Sequence, residues 1–243
     1  MGNRTDLSEE DENVLVEAFA AGVFETNCYV VAPAPGETCI VVDPGQDAED
    51  GLREVIARHK LTPVAVLLTH GHMDHMWSVT PVCDGDDIPA WIHPEDRFML
   101  ADPFKAVGPM GAQLAQMYPG LEFREPRSVE VLADGADLEL AGLRLTVDHT
   151  PGHTRGSVVF RSATEDERPF LIAGDTLLQG SIGRTDLPGG STEEMMASLR
   201  DKILTLPDDT AVLPGHGPMT TVGQERDSNP FVQGLTNAPG RHL

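Results

Sequence analysis

Apolar residues along this chain fall in short runs of differing kinds. Val14, Val16 and Ala18 alternate with polar or small neighbours, the period-two pattern of a half-buried strand. Residues 27–31 and 38–42 predict two more strands around a Pro/Gly turn at 33–36. Over 47–60, Leu52, Val55 and Ile56 stand at helical spacing. Residues 64–68 are continuously apolar, as in a strand buried on both faces. Residues 90–93 predict a further strand, and 94–118 a largely helical stretch broken at Gly108-Pro109 and Gly111. Leu138 and Leu140 alternate into Ala141-Gly142 and out again through Leu143, Leu145 and Val147, which reads as a hairpin. Strands follow at 157–160 and 170–173. A helix starts near Ser191, with Ser191 and Glu194 at capping-box spacing and Met195, Leu199 and Ile203 at helical intervals. A last short strand at 211–213 runs into Pro214-Gly215-His216-Gly217.

Many strands and few helices suggest packed sheets flanked by helices. At 243 residues the chain is long enough to bury a sizeable core without staples. No linker or repeat divides it, so 13–243 is expected to be one domain behind a polar tail at 1–12. Met195 and Met196 are expected to fill core space.

Charge narrows the partners. Seventeen Lys and Arg against 39 Asp and Glu leave a net −22. Such a surface repels phosphate backbones and anionic membranes, so neither nucleic acid nor a membrane is an expected partner. Cys28, Cys39 and Cys83 lack metal-type spacing and fit reduced thiols in a cytoplasmic protein. No signal peptide or spanning segment is evident.

Histidine carries the chemistry. His70-Gly71-His72-Met73-Asp74-His75 places four potential ligands within six residues, directly after a buried strand. Further His and Asp residues stand in Gly-rich turns, and turns held by a rigid sheet concentrate reactive groups. Imidazole suits zinc and iron, and carboxylate adds a harder oxygen. His59, His93 and His242 lack such company and are not expected to be ligands.

The HxHxDH run, followed in order by Pro151-Gly152-His153-Thr154, Ala173-Gly174-Asp175-Thr176 and Pro214-Gly215-His216-Gly217, resembles the metallo-β-lactamase-fold hydrolases over residues 14–231. The resemblance implies an α/β fold, an αββα four-layer sandwich with a metal site at one rim. It implies that His70, His72 and His153 hold one metal, that Asp74, His75 and His216 hold a second, and that Asp175 bridges them. Asp74 and Asp175 would thus be the catalytic carboxylates. Two divalent ions are implied, zinc by default with iron or manganese admissible. Asp43, at the end of its strand, is a candidate to orient a ligand histidine, with turn capping as the alternative. His149, just before the His153 turn, is a candidate either for a similar supporting role or for a purely structural one. Arg184 is a candidate contact for an anionic substrate, although a local pair with Asp186 is the plainer reading.

The segment from Ala173 to Gly217 is most similar to the short glyoxalase II-like, or hydroxyacylglutathione hydrolase-like, branch. That branch implies hydrolysis of S-acyl thioesters of a small thiol by a metal-bridging hydroxide. A small-molecule thioester is the expected partner, and the chain is expected to be a monomer or small homo-oligomer. Asp175 stands where several true metallo-β-lactamases carry cysteine, which points away from antibiotic hydrolysis. Only 27 residues follow His216, too few for the helical glutathione-binding domain of long glyoxalase II proteins, so a shallow thiol site is expected. The alternative is a persulfide dioxygenase, which shares the fold and a Gly-Arg-Thr-Asp stretch like residues 183–186 but uses one iron.

Overall fold

The structure, a computed structural model, describes residues 14–118, 120–164 and 168–235. The expected tail at 1–12 and His242 lie outside the described residues.

The first half of the chain builds one sheet and the second half another. β1 (Leu15–Ala21), β2 (Thr26–Ala32) and β3 (Thr38–Val42) run antiparallel; α1 (Ala48–His59) crosses to β4 (Thr62–Leu67), parallel to β3. Two short helices, α2 (Met73–Met76) and α3 (Val79–Asp86), lead to β5 (Ala90–Ile92). Turns of 3-10 helix at Arg97–Leu100 and Pro103–Met110 and helix α4 (Gly111–Met117) precede β6 (Val129–Val131). β7 (Asp137–Leu140), β8 (Leu143–His149), β9 (Val158–Ala163) and β10 (Pro169–Gly174) form an antiparallel meander. α5 (Thr192–Ser198) continues through a wider turn at Leu199–Ile203 to β11 (Ala211–Pro214), β12 (Thr220–Thr221) and α6 (Val222–Ser228). The sheets have six strands each, ordered β1-β2-β3-β4-β5-β6 and β12-β11-β10-β9-β8-β7.

Side-chain alternation sorts the core into three apolar layers. Tyr29, Val31, Ile40, Val42 and Leu67 face Leu145, Val147, Phe160 and Ile172 between the sheets. Their neighbours Cys28, Val30, Cys39, Val41 and Val66 point the other way, onto Leu52 and Val55 of α1 and Val79 and Cys83 of α3. On the far side, Val159, Leu171 and Val212 meet Met195, Leu199 and Ile203. This is the αββα sandwich. Strands buried on both faces read as continuous apolar runs, which is why 64–68 had that appearance.

Local signals behaved as their chemistry dictates. Ser191 Oγ accepts from the Glu194 N–H at 3.2 Å and starts α5. Met195 is fully buried, and Met196 packs partly buried against the same layer. The 94–118 stretch does break at Gly108, whose φ of 57° and ψ of −133° are non-helical. Its first half is 3-10 turns rather than α-helix, and Gly111 opens α4 instead of interrupting it. Among the described residues no helix is long and apolar enough to cross a membrane.

Candidate metal centre

The strands deliver their chemistry to one rim. β4 runs out into Thr69 and His70, β8 ends at His149, β10 ends at Gly174 before Asp175, and β11 ends at Pro214 before His216. Cross-sheet bonds close this rim. Val158 N donates to Thr69 O at 2.8 Å, Asn27 N to Gly215 O at 2.8 Å, and Tyr29 Oη to Pro214 O at 2.7 Å.

There the seven expected ligands converge. His72 Nδ1 and His70 Nε2 lie 2.8 and 3.2 Å from His153 Nε2. Beside this trio, His216 Nε2 lies 3.2 Å from Asp74 Oδ2 and 3.3 Å from His75 Nε2. Asp175 stands between the trios, with Oδ1 3.5 Å from His75 Nε2 and Oδ2 3.5 Å from His153 Nε2. That is the placement a bridging carboxylate requires.

Whether this set suits cations is decided by its protons. A neutral imidazole carries one N–H, and its partner fixes which nitrogen holds it. Asp43 Oδ2 faces His75 Nδ1 at 2.9 Å, the Arg184 carbonyl faces His153 Nδ1 at 2.8 Å, and Thr69 Oγ1 faces His70 Nδ1 at 3.1 Å. The Thr69 hydroxyl donates to Asp43 Oδ2 at 2.6 Å, which leaves its lone pairs for His70. In their neutral form all three rings therefore hold their proton outward and turn an Nε2 lone pair inward. The Nε2 lone pairs of His70 and His153, 3.2 Å apart, then face one another, an arrangement that a cation between them relieves. Asp175 Oδ1, buried and without a hydrogen-bond donor, adds to that demand. The donor set fits two metal ions.

Charge is split across the centre. Burial pushes His70 well below the ordinary histidine range, and the rings of His75, His153 and His72 push the same way. Burial, then His153, takes His72 down to about 3. Burial also opposes charge on His75, but Asp175, Asp74 and Asp43 outweigh it and raise the ring well above its usual value. His216 is raised too, burial being outweighed by its bond to Asp74 and the charge of Asp175. For Asp74 burial works against ionisation, yet His75 and His216 prevail and hold it at about 2. Asp175 likewise sits well below the carboxylate range, His75 being the main partner that offsets its burial.

Supporting residues divide clearly. Asp43 is close enough to His70 and His75 to join a ligand set. Its oxygens, however, are taken by Thr69 N at 2.8 Å, Thr69 Oγ1 and His75 Nδ1, so it orients ligands. His149 is not brought to the ligands. Its ring stacks on His93 with centroids 4.1 Å apart, and its Nε2 donates to Arg155 O at 2.7 Å. Arg184 enters through its backbone. The carbonyl holds His153, while the exposed guanidinium pairs with Asp186 at 2.7 and 2.9 Å. His59 bonds Glu17 far from the centre.

Sequence reasoning missed Thr69, Asp96 and Glu225. The Thr69 signal was its place between strand and motif. Glu225 is fully buried in α6 and accepts from Thr220 Oγ1 and Gly180 N at 2.6 and 2.7 Å. It thereby fixes the loop that carries Arg184. The start of α6 was not read either, although Thr221 offered a capping signal: its Oγ1 accepts from Gln224 N at 3.1 Å.

Against known proteins, residues 21–216 match the model of the metallo-β-lactamase superfamily. The chain belongs to that superfamily. Among metallo-β-lactamase relatives, an uncharacterised protein of Mycobacterium tuberculosis is 50% identical over 92% of this chain and 100% of its own. Hydroxyacylglutathione hydrolase GloC of Haemophilus influenzae is 32% identical over 89% of this chain and 97% of its own. Two solved structures of metallo-β-lactamase fold are each 38% identical. BLEG-1, described as a B3 metallo-β-lactamase, has a TM-score of 0.78 and covers 90% of this chain and 100% of its own. TTHA1623, in a di-iron-bound form, has a TM-score of 0.70 over 89% and 100%. Together these make the chain a metal-dependent hydrolase of the superfamily.

Proposed function

We propose that this chain hydrolyses S-acyl thioesters of a small thiol at a two-metal centre held by His70, His72 and His153, by Asp74, His75 and His216, and by Asp175 between them. One observation carries the reading: two trios of inward-facing donors share a single carboxylate. The chemistry that metals supply there is activation of water near neutral pH and polarisation of an acyl carbonyl.

The chain's own residues set the terms. Asp43, Thr69 and the Arg184 carbonyl keep the ring protons on the outer nitrogens, so the inner ones stay basic. Asp74 and Asp175 are ionised across the working pH range and offset the metals' charge in part. The motif residues are committed to ligation, and none is free as a strong acid. A thiolate leaves without one, because its conjugate thiol has a pKa of about 8.5. Amides and phosphodiesters ask more of the leaving group.

Two relatives support the finer reading. GloC is named for hydroxyacylglutathione hydrolysis and is matched over 97% of its length, so a chain of this extent suffices for such a name. The di-iron form of TTHA1623 supports two ions and admits iron beside zinc and manganese. Cys28, Cys39 and Cys83 are buried and unpaired, which supports a reducing, cytoplasmic setting.

The test combines metal analysis with turnover on one preparation. We expect close to two metals per chain, hydrolysis of S-lactoyl-glutathione and of other S-acyl thiols, and no oxygen uptake with glutathione persulfide. One metal per chain with oxygen uptake and no thioester hydrolysis overturns the proposal in favour of a dioxygenase. Turnover of β-lactams alone overturns the substrate class and leaves the two-metal centre standing.

A further inference from the structure

Asp96 is fully buried just after β5, in a stretch with no motif character. All partners of its carboxylate are donors. Oδ2 accepts from Gly71 N at 2.9 Å and from Thr154 Oγ1 at 2.6 Å, and Oδ1 accepts from Gly156 N at 2.8 Å. Gly71 lies between His70 and His72, and Thr154 follows His153. One carboxylate thus grips both loops that form the three-histidine pocket, one from each sheet. The approach is close: a Cβ on Gly156 would sit 2.6 Å from Asp96 Cγ, and one on Gly71 would sit 2.9 Å from Asp96 O. A second, outer tether runs parallel. His93, three residues before Asp96, stacks on His149, whose Nε2 donates to Arg155 O in the same loop.

We propose that Asp96 is a positioning residue that fixes the spacing of the His70/His72 loop from the His153 loop, so that the three-histidine pocket is formed before any metal arrives. A buried carboxylate surrounded by three donors is satisfied only as an acceptor. Asparagine keeps the shape but turns an N–H₂ toward one of those donors, and a buried mismatch of that kind forces the loops apart. The inference rests on the ligand assignment above and is independent of the substrate.

The experiment titrates metal-free protein with Co²⁺ and follows its visible absorption, with competition against a chelator for affinity. Wild type, Asp96→Asn, Asp96→Ala and a core control, Leu145→Ala, are compared, each with its Tm measured without metal. The expected result is a loss of about 10- to 100-fold in affinity for one of the two equivalents in both Asp96 variants, as is typical when a group orienting a ligand is removed. The other equivalent, at Asp74, His75 and His216, keeps its affinity. Leu145→Ala, which loses stability in the core between the sheets, keeps both. Equal affinity for both equivalents in wild type and Asp96→Asn overturns the proposal. So does an equal loss in Leu145→Ala at matched Tm, which reduces Asp96 to general stability. Should Asp96→Ala not fold, the isosteric Asp96→Asn decides alone. A wild type that binds no Co²⁺ overturns the ligand assignment itself, and the proposal with it.

Discussion

Two glycines of one turn separate steric from conformational control of the centre. Gly215 does not have positive φ, so alanine is conformationally acceptable there. The space is not: a Cβ would overlap Asp175 Oδ1 and lie 2.7 Å from His75 Cε1, where ordinary contact begins at 3.4 Å. The ring and the carboxylate must retreat by roughly 0.7 Å or more, and a misplacement on the order of 1 Å costs about 100-fold in rate. Both displaced groups are proposed metal ligands. Gly217 is the converse. Its φ is 73°, with nothing within 4 Å of the missing Cβ. Alanine there incurs only backbone strain, about 1–2 kcal/mol. For a chain of this size each kcal/mol lowers Tm by about 2–4 °C. Gly215→Ala should therefore lose at least one metal by elemental analysis and about 100-fold in thioester turnover. Gly217→Ala should keep its metals and its turnover and melt lower. A Gly215→Ala protein with two metals and ordinary turnover would refute the placement of Asp175 against His75.

Other substitutions grade the same centre. Asp175→Ala removes the one carboxylate that, among the described residues, stands between the trios, and we expect loss of at least one metal and of more than ~100-fold in activity, beyond the ~10- to 100-fold usual for residues that merely orient ligands. His149→Ala, whose ring touches His93 and Arg155, should stay at or under that lower range, and equal behaviour of the two variants would contradict the ligand assignment. Protons compete with metals for ligands. His75 and His216 are raised and so take up a proton at higher pH than His70 and His72, which are lowered. On acidification the ion at Asp74, His75 and His216 should leave first, as read by stepwise dialysis; simultaneous release at one pH would argue against the split.

How much of this was legible beforehand follows from what each feature depends on. The rim positions of the proposed ligands could be read because His70, His153, Asp175 and His216 each follow a strand beside a glycine, while Asp74 and His75, in the short helix α2, are tied to His70 by the motif itself. Packed sheets flanked by helices could be read from the many strands and few helices and from the continuous apolar run at 64–68, while the four-layer order followed from the family resemblance. Asp96 could not. Its role exists only because β5 lies next to β4, which brings the turn after it under both histidine loops, and an Asp in a Pro-Glu-Asp turn has no pattern that says so. Arg184 was legible in part: its guanidinium makes the local pair with Asp186 that was the plainer reading. That its carbonyl meets His153 could not be read, because backbone roles leave no trace in residue type. His149, read as a supporting or structural residue, stacks on His93 and bonds Arg155 O in the loop that carries His153, and the His93 partner is what the sequence did not reveal.

The proposed ligands are drawn from both sheets, and on that assignment metal would be a structural load as well as a catalytic one. His70, His72, Asp74 and His75 follow β4 of the first sheet, while His153, Asp175 and His216 follow strands of the second. Each trio spans the interface, because His153 joins His70 and His72, and His216 joins Asp74 and His75. Without cations, like charges and lone pairs face one another at this rim and oppose the bonds that close it. Metal that binds the folded state only, at about 1,000 times its Kd, adds about 4.1 kcal/mol per ion. At about 2–4 °C per kcal/mol, that is a Tm gain of about 8–16 °C per ion. Chelation should reverse it, and the loss should be local. The amides of Val158 and Asn27, which donate across the rim to Thr69 and Gly215, should exchange faster with solvent. The Val66 amide, bonded to Pro89 O within the first sheet, should not. An unchanged Tm after verified removal of metal, or faster exchange spread evenly over both sheets, would show that the rim is held by its hydrogen bonds alone and that the metals only rest in it.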